Sequence, residues 1–246
     1  MTYCVGMILD RGLVFMTDTR TNAGVDNISI FRKLFTWEQP GERFLVMATA
    51  GNLATTQAVV SMLDERNRTP AERNPSILEA PSMFQVARIA GRTLREVVRD
   101  SAGGSEAADP TFSATLMLGG QIAGMPPRLF MIYPEGNFVE ASADTPFFQL
   151  GETKYGRPII LRTFDPAMSF EDAAKLLLVS FDSTIKANLS VGLPLDLQIY
   201  ETDALKAGRA LRIDQSDGYY QTISTGWGAA LRQAFQSLPD FSFPAD

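Results

Sequence analysis

Histidine does not occur in the 246 residues. Its absence removes the imidazole base on which Ser-His and Cys-His nucleophilic schemes depend. It also removes the commonest zinc ligand, and no metal site or cofactor is expected. A single cysteine, Cys4, rules out an intrachain disulfide and suits a reducing compartment, so a cytoplasmic location is expected. Lysine and arginine number 22 against 28 aspartates and glutamates, a net charge of −6. That balance leaves no surplus for neutralising a phosphate backbone, and nucleic acid is not an expected partner. Nowhere do about 18 apolar residues run together, so no membrane span is expected. The start lacks a basic region, and Asp10-Arg11 interrupts its apolar run too early for a signal peptide. Any acyl or amide chemistry here must draw its base from an amine or a carboxylate.

What remains is an ordinary globular composition, 45% hydrophobic and 20% charged. Tyr3 to Leu9 and Leu13 to Thr17 flank the turn signal Asp10-Arg11-Gly12 and predict a hairpin that begins at the N-terminus. Asp18 to Gly24 is polar and turn-prone, a predicted loop. Strands are predicted over Ile28 to Trp37 and Arg43 to Thr49, then helices over Leu53 to Arg66 and Phe84 to Asp100. The second helix carries Met83, Val86, Ala90, Leu94 and Val97 at helical spacing on one face. Arg88, Arg92, Arg95 and Arg99 form a stripe on the other, read as a solvated face. Prolines 70, 75 and 81 mark the irregular connection between these helices, and Ser101 to Pro110 reads as a loop.

Short strands are expected over Phe112 to Leu118, Arg128 to Tyr133, Phe138 to Ala141 and Phe147 to Leu150. A third helix should start at Ser169, capped by that serine with Glu171 and Asp172 in its first turn. Late strands are expected over Leu195 to Glu201, Gly208 to Ile213 and Tyr219 to Ile223, and a last helix over Trp227 to Leu238. Helices do not follow every strand, so a doubly wound sheet does not fit. Two stacked antiparallel sheets covered by helices do: an α+β, four-layer αββα sandwich in one domain spanning residues 1–246.

Thr2 directly follows the initiator methionine. Removal of Met1 would leave a hydroxyl and a free α-amine on one residue, a nucleophile with its own base. That amine titrates near pH ~8, so part of it is unprotonated at neutral pH. Thr2 alone is weak evidence, and Asp18 with Lys33 alone reads as a strand-end ion pair. In order, and in a chain without histidine, the set is specific.

Thr2 on a first strand, Asp18-Thr19-Arg20-Thr21-Asn22-Ala23-Gly24, Lys33 and Ala50-Gly51 resemble the proteasome β-type N-terminal nucleophile hydrolases. Within that superfamily the start Met-Thr-Tyr-Cys-Val-Gly looks most like the bacterial Anbu (ancestral beta subunit) family. The resemblance implies Thr2 as nucleophile with its amine as base, and Lys33 as a nearby positive charge paired with Asp18. It implies the Gly51 N–H as oxyanion donor, and backbone around Thr21 and Asn22 aligning an extended peptide. Arg20, Glu152, Asn188 and Ser190 would surround these groups. Where the family has a serine after a glycine, this chain has Gly151-Glu152. Where it has an aspartate and then Ser-Gly, this chain has Asn188 and Val191-Gly192, with Ser190 adjacent. The Glu152 carboxylate is a candidate holder of the protonated N-terminus. The implied activity is a proteasome-like threonine peptidase acting on peptide or amide bonds, assembled as a homo-oligomeric ring or ring-like spiral. A small-molecule amidohydrolase on the same fold and a catalytically silent assembly subunit remain open alternatives.

Overall fold

Tyr3–Leu9 (β1) and Gly12–Asp18 (β2) are buried along almost their whole length, because each lies between two apolar layers. Side chains alternate across a strand, so Tyr3, Val5, Met7, Val14 and Met16 enter one core while Cys4, Leu13 and Phe15 enter another. Gly6 sits where the two sheets approach most closely; a Cβ there would lie 2.3 Å from Met117 Sδ. The computed structural model describes residues 2–22, 28–69, 75–103 and 110–243. Met1, Ala23-Gly24, Pro70 and most of the expected 101–110 loop lie outside the described residues.

β2 is followed by Arg20–Asn22 (β3), Ile28–Ile30 (β4), Leu34–Gln39 (β5) and Arg43–Gly51 (β6). Helices Leu53–Arg68 (α1) and Met83–Ser101 (α2) come next. Then come Ala114–Ile122 (β7), Arg128–Ile132 (β8), Phe138–Glu140 (β9) and Phe147–Gly151 (β10). The chain closes with Arg157–Thr163 (α3), Phe170–Ala187 (α4), Leu195–Glu201 (β11), Ala210–Ile213 (β12) and Gly218–Gln236 (α5). One antiparallel sheet has the order β10-β1-β2-β11-β12, a second β5-β6-β7-β8-β9, and β3-β4 is a two-stranded ribbon.

Three apolar layers hold four layers of elements together. α1 and α2 pack on the outer face of the second sheet through Val59, Leu63, Val86 and Leu94 against Leu45, Met47 and Phe130. α4 covers the first sheet with Leu177 and Phe181. Phe15, Phe44, Val46, Met117 and Tyr200 fill the space between the sheets, where Phe44 and Tyr200 stack 4.7 Å apart. This is the expected αββα sandwich.

Three local expectations are corrected. The predicted strand Ile28 to Trp37 is two strands, because the chain leaves the β3-β4 ribbon at Phe31 and rejoins a different sheet at Leu34. The predicted loop after Asp18 contains β3. The predicted strand Tyr219 to Ile223 is the start of α5: Asp217 caps it by accepting the Tyr220 N–H at 2.8 Å, and the Tyr220 side chain packs on α4. Tertiary burial here overrides the β-propensity of a Tyr-Tyr-Gln-Thr-Ile stretch. α3 lies in a stretch to which no element was assigned; Pro158 falls in its first turn, where a proline costs a helix no hydrogen bond. The arginine stripe of α2 is exposed.

Candidate active site

β1 fixes Thr2 at the head of the central sheet, because Tyr3 is tied down on every side. Its ring is fully buried against Phe181, and its hydroxyl bonds Ser180 Oγ and the Gln149 amide, each at 2.8 Å. Burial pushes that phenol up to about 12, so it stays a neutral anchor. Thr2 is 8% exposed and borders a cavity of about 430 Å³ that Lys33, Thr49, Gly51, Thr56 and Gly151 also line.

Lys33 is buried immediately before β5, and its Nζ donates to Asp18 Oδ1 at 2.8 Å and to the Arg20 carbonyl at 2.6 Å. Asp18 is fully buried at the end of β2 and also accepts the Tyr3 N–H at 3.0 Å. Burial pushes the Asp18 carboxyl above the ordinary carboxylate range; the Lys33 charge and the Tyr3 and Gly192 amides pull it part of the way back. The pair therefore holds a cation at the rim of the cavity with its carbon chain immobilised. Truncating one partner would strand the other as an uncompensated buried charge.

Gly51 ends β6 with φ +114, and a Cβ there would meet the Ser113 carbonyl at 2.5 Å. The Thr49 N–H donates to the Lys33 carbonyl at 2.9 Å, on the β5 side of β6. Alternation sends the Gly51 N–H to the same side, past the end of β5 and toward the cavity. The next residue, Asn52, caps α1 by accepting the Thr55 N–H at 3.1 Å, so the positive end of that helix also faces this space. A backbone donor and a helix N-terminus together suit a developing oxyanion.

The two residues expected to align a peptide behave differently. Phe31 N–H bonds the Thr19 carbonyl, so the alternating hydrogen-bonded pairs of the ribbon include Thr21 with Ser29. The Thr21 backbone is therefore committed to β4, although the residue lines the cavity. Asn22, like Arg20, turns its backbone groups away from β4 to the open edge. Arg20 reaches elsewhere with its side chain: the guanidinium lies against Gly192 and donates to the Leu189 carbonyl at 2.9 Å.

Glu152 and Asn188 come together, the Asn188 amide donating to Glu152 Oε2 at 2.9 Å. Ser190 joins through its backbone N–H, which bonds Asn188 Oδ1 at 2.9 Å. Thr49, Thr56 and the Tyr3 network escaped the sequence reading. Nothing in a lone buried threonine signals a cavity wall until β6 and α1 are placed. Among the described residues no three side chains cluster as metal ligands, and no helix is long and apolar enough to cross a membrane.

No protein-family model matches the chain, and no curated protein matches it. Solved structures do. Anbu (ancestral beta-subunit) from Yersinia bercovieri is 47% identical with a TM-score of 0.91, covering 98% of this chain and 100% of that one. Anbu from Hyphomicrobium sp. strain MC1 is 50% identical at a TM-score of 0.90, covering 98% and 100%. The helical assembly of the Anbu complex from Pseudomonas aeruginosa gives 48%, 0.90, and 98% of each chain. Fold and relatives together define a proteasome-related subunit of the N-terminal nucleophile type. Within that class, the chain belongs to the Anbu family.

Proposed function

We propose that the chain is a threonine-type peptidase subunit that cleaves amide bonds with Thr2 after loss of Met1, working as a homo-oligomer in the cytoplasm. One observation carries the reading: Thr2, the Asp18-held Lys33 and Gly51 meet on a single cavity at the head of β1. The Thr2 amine takes the proton of its own hydroxyl as Oγ1 attacks the substrate carbonyl carbon. Lys33 favours the developing alkoxide, and the Gly51 N–H supports the oxyanion; losing one such donor costs ~10²–10³ in rate. Collapse of the tetrahedral intermediate breaks the C–N bond, and the amine returns its proton to the leaving nitrogen. Water then hydrolyses the ester and restores Thr2.

The open edge of β3 at Asn22 and the end of β6 at Gly51 would bracket an extended peptide as an added strand. Assembly is supported by the Pseudomonas aeruginosa relative, whose solved form is a helical assembly. Exposed Leu231, Phe235, Leu238, Phe241 and Phe243 near the C-terminus suit the same reading.

Thr2→Ala tests it. Turnover of a peptide panel should fall by ~10³ or more, with the mass of the assembly in solution unchanged. Identical low activity in both proteins would instead favour a silent assembly subunit. Turnover of small amides without peptides would favour an amidohydrolase.

A further inference from the structure

We propose that Glu152 is a positioning residue, the buried counter-ion that receives and orients the Thr2 α-amine once residue 1 is gone. The proposal rests on the reading of Thr2 as nucleophile. The backbone supplies the geometry. Tyr3 directs its N–H to the β2 side of β1, where it reaches Asp18. The nitrogen of Thr2, one residue earlier, therefore lies on the opposite side, toward β10. Glu152 stands there: it continues the register Tyr3↔Gly151, and its N–H donates to the Thr2 carbonyl at 2.7 Å. Gly151 permits this approach, since a Cβ on it would lie 2.0 Å from the Thr2 oxygen.

The Glu152 side chain is built in. The residue is 7% exposed, Oε1 accepts the Lys154 backbone N–H at 2.8 Å, and Oε2 accepts the Asn188 amide. Asn188 is itself fixed, capping α4 through its N–H to the Thr184 carbonyl and accepting the Ser190 N–H. Both donors to Glu152 are neutral, and among the described residues no lysine or arginine forms an ion pair with it. A buried carboxylate without a cation is costly, and a liberated ammonium would supply one.

The other groups around this end are already matched. Asp18 and Lys33 hold each other, and Arg20 is engaged with the Leu189 carbonyl. From α4, Asp182 binds Lys186 and the Tyr220 hydroxyl. The Tyr3 phenol and Cys4 thiol on β1 are both pushed up by burial and stay neutral. The Lys154 side chain is exposed. A carboxylate beside an ammonium raises its pKa, while Lys33 acts in the opposite direction. Glu152 thus sets both the orientation and the basicity of the amine that must deprotonate Oγ1.

The test uses full-length native protein and Glu152→Gln, each shown by intact mass to begin at Thr2. The midpoint of pH-dependent labelling of the α-amine by acetic anhydride is measured beside the acid limb of kcat/KM. Glu152→Gln, which keeps an acceptor for the Lys154 N–H, should lower the labelling midpoint by about one pH unit or more. The kcat/KM limb should move by the same amount. Asn188→Asp, which adds a second carboxylate to the cluster, should raise the midpoint. Unchanged midpoints in both variants overturn the proposal and leave Thr2 standing as nucleophile. Native protein that still carries Met1 overturns both readings.

Discussion

α2 and α5 are each nineteen residues long, yet ten residues of α2 are buried and only Tyr220 of α5 is. α2 lays Met83, Val86, Ala90, Leu94 and Val97 on the second sheet and shows water its arginines. α5 touches α4 with Tyr220 and Ile223 and leaves Tyr219, Leu231 and Phe235 exposed. One helix is completed by its own chain. The other carries apolar surface that the described residues do not cover, the kind of patch that marks an interaction site in soluble proteins. The candidate catalytic groups all lie in the completed part.

The sharpest break on the completed side is the buried ion pair. Lys33→Ala should cost about 3–5 kcal/mol in denaturant unfolding, because Asp18 is then buried without its cation. Asp18→Leu/Lys33→Met together should recover most of that stability and none of the hydrolysis. A double variant as unstable as the single would show that the cost lies in packing alone.

Next in size is the contrast between the helices themselves. Leu94→Ala should cost about 2–5 kcal/mol, since its side chain is fully buried under α2. Phe235→Ala, at 77% exposure, should change the stability of the isolated chain by no more than about 0.5 kcal/mol. It should nevertheless reduce the particle mass seen by light scattering. A Phe235→Ala chain that assembles fully would remove α5 from the proposed interface.

The smallest expected effect is a pH dependence. The Asp18 carboxyl is raised above its unfolded value near ~3.9. A group shifted in that direction contributes stability that is fully present below the unfolded value and is lost as pH rises through the folded one. Ionisation of Asp18, which completes the pair with Lys33, therefore comes at some cost in stability. The expected result is a fall in the urea midpoint as pH rises above the ordinary carboxylate range, a fall that is absent from Asp18→Leu/Lys33→Met. A urea midpoint with the same pH dependence in both proteins would contradict the direction of the shift.

Much of this was legible in the residues. Runs rich in β-formers and bounded by turn signals wrote β1, β2 and β6, and the apolar stripe of α2 was readable to within a residue at each end. Ser169 announced α4 by its cap. Gly51 could be identified as a turn glycine, but the direction of its N–H depended on the Thr49–Lys33 hydrogen bond between β6 and the residue before β5. The difference between Thr21 and Asn22 was likewise invisible, because it is set by which carbonyl Phe31 reaches.

By itself the sequence determined the αββα class and the absence of an imidazole base, which follow from local periodicity and composition carried by near neighbours in the chain. The ordered set Thr2, Asp18, Lys33 and Gly51 was legible only through its resemblance to the proteasome β-type family. Tertiary structure alone decided that Tyr219 to Ile223 coil into a helix, and that Glu152 is clasped by an asparagine 36 residues away. It also decided that Thr2 faces Glu152 across a ladder joining residues 150 apart. Such contacts depend on which strand becomes whose neighbour, and burial against a distant segment outweighs the weak preference any short stretch has for its own conformation.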